Sequence, residues 1–154
     1  MPPTPSEALR ALGVGLPPPP KPAGSYLPAV REGDLVFVSG QGAFRDGQVL
    51  FPGPVESRVS VAQAQEAART AVLQGLSAVA ELVGSIDRIR RVVRVGVYVA
   101  SDPAFTRQHE VGNGATELLI SVFGDAGRPS RVSVGVPSLP LNFPVEVELL
   151  AAVR

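Results

Sequence analysis

The 154-residue chain reads as an α+β domain, with one mixed sheet carrying two long helices on a single face. Three observations lead there. Several short segments alternate apolar and polar residues with period two, whereas two longer ones place apolar residues every three or four positions. Their order is β-β-β-α-β-α-β-β, without an internal repeat, and two helices can cover only one face of such a sheet. Residues 1–22 stand apart because half of the 16 prolines fall there. A proline-rich N-terminal arm with a short helix thus precedes the domain, which spans residues 23–154.

In the arm, Thr4-Pro5-Ser6-Glu7 has the form of a capping box with proline at the first helical position. It predicts a short helix over Ala8 to Leu12, stopped by Gly13. Pro17 to Pro20 should be extended polyproline II, a spacer strapped along the surface. Tyr26–Val30 and Leu35–Ser39 around Arg31-Glu32-Gly33-Asp34 predict a hairpin. Asp46-Gly47 predicts a tight turn between Gly42–Arg45 and Gln48–Leu50. Ser60 should cap a long helix through Val61, Ala64, Ala68, Val72, Leu76, Val79 and Val83, with Gly84 ending it.

Arg91 to Ala100 is the strongest strand signal, with Val93, Val95, Val97 and Val99 on one face and Arg94, Gly96 and Tyr98 on the other. Asp102-Pro103 should open the second helix, which runs through Phe105, Leu118, Leu119 and Val122 to about Gly124. Gly112 and Gly114 weaken its middle turn by about 1 kcal/mol each relative to alanine, which implies close backbone packing there. Arg131–Val136 and Val145–Val153 complete the sheet.

Composition removes several functions. Without cysteine, the chain has no disulfide scaffold, thiolate metal site or thiol nucleophile, and a single histidine, His109, makes no metal cage. Lys+Arg and Asp+Glu balance at 14 each, so no net field draws the chain to nucleic acid or an anionic membrane. Apolar runs fall short of the roughly 18–20 residues of a membrane span. The expectation is a soluble, cytoplasmic domain without cofactor or metal. His109 reads as an exposed or capped helix residue, and Ser39 lacks the sequence of a nucleophile elbow, so serine-triad chemistry is not expected.

The uncovered sheet face must be explained. Alternation alone assigns to it Arg94, Gly96 and Tyr98, then Arg131, Ser133 and Gly135, and Glu146, Glu148 and Leu150. This set is too polar for a core and, with its valine neighbours, too apolar for open solvent. Self-association that encloses ionisable residues resolves the conflict. An arginine and a glutamate in a partly dry cleft also suit binding of a small carboxylate and handling of its protons.

Several segments together resemble the reactive intermediate deaminase family, RidA/YjgF, also known as L-PSP endoribonuclease-like. They are Ala23-Gly-Ser-Tyr-Leu-Pro-Ala-Val30, Val36-Phe-Val-Ser-Gly-Gln41, Val92 to Val99, Pro129-Ser-Arg-Val-Ser-Val-Gly-Val136, Leu139-Pro140 and Val145-Glu-Val-Glu-Leu149. The resemblance covers about residues 23–154. It implies a chorismate-mutase-like fold, a homotrimer with sites between subunits, and hydrolysis of 2-imino or 2-enamino acids to 2-keto acids and ammonia without metal or cofactor.

By the same resemblance, Arg131 clamps the substrate carboxylate, a task suited to a planar guanidinium fork. Glu146 holds the hydrolytic water and passes protons, with Glu148 its confusable neighbour. Tyr26 lines the pocket beside the substrate side chain, Ser39 and Gly40 supply pocket hydroxyl and backbone, and Asn113 stands at the site edge. Ser133 occupies a position where the family often has cysteine, and its carbonyl could orient the amine or water. The long arm and the long Phe51–Val59 connection depart from compact members and leave the preferred imine open. The rival readings are a non-catalytic trimer that binds small carboxylates, and the ribonuclease or translation inhibitor of the older family label. The balanced charge gives the latter no phosphate track.

Overall fold

In the computed structural model, which describes residues 1–154, the short helix α1 is Pro5–Ala11 and the long helices α2 and α3 are Val61–Val83 and Gln108–Phe123. Strands β1 (Ala29–Glu32), β2 (Leu35–Gly42), β5 (Ile89–Ala100), β6 (Ser130–Val136) and β7 (Val145–Val153) form one sheet, in the order β1-β2-β7-β5-β6. Two short strands, β3 (Phe44–Arg45) and β4 (Gln48–Val49), make a separate ribbon, so four strands rather than three precede α2. The sheet is mixed because β5 and β6 run parallel while the other pairs are antiparallel.

Local chemistry accounts for most boundaries. The expected capping box of Thr4 with Glu7 forms, and the expected cap Ser60 forms a capping box too, with Gln63. Gly84 ends α2 in the left-handed conformation, and Asp46 and Gly47 both take positive φ in the β3–β4 turn. One helix start differs. Asp102-Pro103 makes a turn, closed by the Phe105 N–H donating to the Asp102 carbonyl, and α3 begins five residues later at Gln108. No helix is long and apolar enough to cross a membrane.

The register settles which residues share a face. On the helix-covered side, Val38, Leu149, Val95 and Arg131 form one row, and Gln41, Val147, Val97 and Ser133 the next. On the open side, Phe37, Leu150 and Arg94 align, then Glu148, Gly96 and Val132, then Glu146, Tyr98 and Val134. Arg131, Ser133 and Gly135 therefore lie under the helices, not on the open face expected from alternation. The cause is the parallel pairing, which sets Arg131 opposite Val95 rather than Arg94. A register shift between Val92 and Arg94 likewise buries Val92 in place of Val93.

Helices α2 and α3 pack on the sheet and on each other, and Gly114 marks their closest approach. A Cβ there would come within 2.7 Å of the Gln65 carbonyl carbon on α2. Gly114→Ala should therefore destabilise the fold by about 1–3 kcal/mol in urea denaturation, since backbone cannot yield to the methyl group. The gain in helix propensity, about 1 kcal/mol, is too small to offset this.

The arm is bound at several points. The Ser6 N–H donates to Asp87 at 2.8 Å, Leu9 is 4% exposed within the core, and the Ser77 hydroxyl donates to the Pro17 carbonyl at 2.6 Å. The polyproline run is a strap, and Leu9 makes the arm part of the core as well.

Candidate functional site

Arg131 lies on the edge strand β6 beneath α3. Its Nη1 donates to Asn113 Oδ1 at 2.9 Å and Thr116 Oγ1 at 3.1 Å, and its Nη2 to the His109 carbonyl at 3.2 Å. Gly112 makes this possible, because a Cβ there would clash with the Ser133 hydroxyl and come within 3.1 Å of Arg131 Nη1. All three partners are neutral, and none of the chain's three ion pairs includes Arg131. The guanidinium is thus fixed in place yet lacks a counter-charge. Its Nε–H and second Nη2 proton have no partner in the chain, which leaves a fork for a carboxylate. The Ser133 hydroxyl beside it is buried without a hydrogen bond.

Glu146 lies elsewhere, on the open-face side of β7. It lines a cavity of about 330 Å³ with Tyr26, Gly40, Gln41, Gln74 and Phe143. Gly40, inside the β2 irregularity between Val38 and Gln41, lines the cavity. A Cβ on Gly40 would come within 2.9 Å of Glu146 Cδ, so only glycine leaves the carboxyl its place. Phe143 and Phe44 meet edge to face at 5.0 Å at the wall, and Leu141, held at φ 56, stands on the rim. Burial, and next the charge of Glu148, hold the Glu146 carboxyl above the ordinary carboxylate value. Glu146 has no ion pair and no side-chain hydrogen bond within the chain.

Glu148 is a different kind of carboxylate. It accepts a hydrogen bond from the Tyr98 hydroxyl at 3.0 Å and fits against Gly96, whose absent side chain would otherwise sit 2.9 Å from its Oε1. That bond, with burial second, raises the Tyr98 phenol pKa. The free carboxyl beside Tyr26 is therefore Glu146.

Within one chain the predicted residues form two groups. Tyr26, Gly40 and Glu146 share the cavity, while Arg131, Asn113 and Ser133 cluster at β6 and α3. Strand β5 separates β7 from β6, and Glu146 and Arg131 point to opposite faces, so they do not meet. Tyr26 precedes β1 rather than lying in it. Ser39 is not a wall of the Glu146 cavity. It lies beside it in the β2 irregularity, its hydroxyl donating to the Leu27 carbonyl at 2.6 Å, which ties the Tyr26 loop to β2. His109 is exposed and contributes its carbonyl.

Sequence reasoning missed Thr116, Gln74 and Lys21. Thr116 had a readable signal, standing one helical turn after Asn113 on the same face of α3. Gln74 had one too, a polar residue inside an otherwise apolar helix stripe, 9% exposed in the structure. Lys21 is the only lysine of the chain.

Comparison with known proteins places this geometry. Residues 6–153 match the family described as "YjgF/chorismate_mutase-like, putative endoribonuclease". Protein TCP17 of Trypanosoma cruzi is 41% identical over 143 residues, covering 92% of this chain and 89% of the relative. A 2-iminobutanoate/2-iminopropanoate deaminase of Dermatophagoides farinae is 29% identical over 136 residues, covering 88% of this chain and 91% of the relative. The crystal structure of a "putative endoribonuclease" from Shewanella oneidensis superposes with a TM-score of 0.94 at 29% identity, covering 97% of this chain and 99% of that one. The fold and the match across nearly the whole chain agree, and the chain belongs to the RidA/YjgF family.

Proposed function

We propose that the chain is a subunit of a cofactor-free deaminase that hydrolyses 2-imino and 2-enamino acids to 2-keto acids and ammonia, at sites shared between copies. One observation carries the reading: each chain presents a fixed guanidinium without a counter-charge and, on a different surface, a half-buried carboxyl without a partner. A second copy can bring the two together. The open sheet face favours such an association, since Val30 and Phe37, each 49% exposed, adjoin Leu150 in the register. The family implies three copies, closed as a ring. The name of the mite relative supports the reaction class.

In this arrangement Arg131 of one copy holds the substrate carboxylate and sets the imine carbon beside Glu146 of the next. Water adds to the C=N carbon while Glu146 accepts its proton and the nitrogen is protonated. Collapse of the carbinolamine breaks the C–N bond, releases ammonia and leaves the 2-keto acid. The protein's own part in these steps is proton transfer, and a carboxyl held above its usual pKa accepts a proton more readily than an ordinary one.

The test combines size and activity. Light scattering should give about three times the 16.0 kDa chain mass. Imines made in place by an amino-acid oxidase should yield keto acid faster with the protein than without it. A stable monomer at micromolar concentration removes the shared site, and a trimer without saturable hydrolysis leaves a carboxylate-binding protein.

A further inference from the structure

The arm supplies one wall of the Glu146 cavity. Lys21 lines it together with Tyr26, Gln41, Gln74 and Glu146. This lysine stands between Pro20 and Pro22, and a residue before proline is confined to extended backbone. The segment is pinned on both sides, by the Ser77 hydroxyl on the Pro17 carbonyl at 2.6 Å and by the Ala23 N–H donating to the Tyr26 hydroxyl at 3.3 Å. The strap thus holds Lys21, an exposed residue, at the cavity wall.

Nothing in the chain engages it. The ion pairs are Arg45–Glu66, Arg107–Glu110 and Arg128–Asp125, and Lys21 lies in none of them. Burial and Glu148 hold the Glu146 carboxyl above its ordinary value, and Lys21 forms no ion pair with it. Gln41 and Gln74, 8% and 9% exposed, line the same cavity.

With the deaminase reading as its basis, this arrangement identifies the substrate class. A 2-imino acid held by Arg131 of a second copy has its reacting carbon at Glu146 and its side chain toward Tyr26, in the cavity that Lys21 also lines. Imines formed from amino acids carry an anionic side chain only when it is a carboxylate. We infer that the pocket selects 2-imino dicarboxylates and the matching 2-keto dicarboxylates, with Lys21 receiving the side-chain carboxylate. A lysine on a flexible four-carbon stem suits a point contact with side chains of different length.

The experiment compares imines generated from glutamate and from 2-aminobutanoate by amino-acid oxidases, using the full chain and its Lys21→Met and Lys21→Arg variants. Lys21→Met should lower kcat/KM for the dicarboxylic imine about tenfold, the scale of one charge-assisted hydrogen bond, and leave the other imine nearly unchanged. Lys21→Arg should restore most of the loss. Equal effects on both imines, or none, overturn the inference while the deaminase stands. If the parent hydrolyses neither imine, the deaminase reading falls and calorimetry with 2-oxoglutarate and 2-oxobutanoate decides the rest. Tighter binding of the dicarboxylate that disappears in Lys21→Met upholds the selectivity; equal binding, or none, overturns it.

Discussion

Glu146→Gln is expected to cut imine turnover by about 10²-fold or more, the usual scale for losing a positioned general acid–base. The amide keeps the shape of the carboxyl and its fit against Gly40 but cannot accept a proton. Binding of a 2-keto acid should survive, because Arg131 still holds the carboxylate. Stability should move the other way. The folded protein disfavours the ionised carboxyl, so its pKa lies above the unfolded value and ionisation weakens the fold as pH rises through the folded pKa. Thermal unfolding at pH 7 should therefore find the Gln variant slightly more stable than the parent. The gap should close in acid, below the unfolded pKa, where both side chains are neutral. Full turnover in the variant would remove Glu146 from the reaction and turn attention to the Ser133 carbonyl.

The second large effect concerns Arg131. Arg131→Ala removes the proposed carboxylate clamp and should lower kcat/KM on the order of a hundredfold or more, as loss of one member of a desolvated charge pair does. Arg131→Lys keeps the charge but not the fork that spans Asn113, Thr116 and the ligand, so it should recover little. Mixing the two inactive chains is the sharper measurement. In a ring assembled at random from equal amounts of Arg131→Ala and Glu146→Gln chains, about a quarter of the sites join an intact Glu146 to an intact Arg131. Activity should return to about that fraction of the parent after co-refolding, and to none on simple mixing if subunits do not exchange. Failure of co-refolded chains to recover any activity would place both residues in one subunit's site.

Much of the fold follows from local chemistry that the sequence displays. Thr4, Ser60 and Gly84 mark helix ends because their side chains, or the lack of one, satisfy or permit particular backbone conformations within a few residues. Asp46-Gly47 turns for the same reason, and the valine runs of β5 and β7 alternate as half-buried strands must. Asn113, Arg131, Ser133 and Glu146 were legible as candidates through the family resemblance. The start of α3 was misplaced because Asp102-Pro103 serves a turn as well as it serves a helix.

Only the tertiary structure decided how those candidates are distributed. Alternation specifies parity within a strand, but which parity faces the helices depends on pairing between strands distant in sequence. The parallel β5–β6 register places Arg131 opposite Val95 and turns it under α3, while the antiparallel β5–β7 register leaves Glu146 opposite Tyr98 on the open side. A shift of one residue in either ladder would exchange those faces without altering a letter of the sequence. The place of Lys21 is in part non-local, set by a hydroxyl on α2 as well as by its proline neighbours and the nearby Tyr26 phenol. Sequence thus determined the elements and the chemical inventory, because those arise from neighbours along the chain. Register, bulges and the course of the arm are settled by contacts between distant segments, and they divided the inventory into two separate groups.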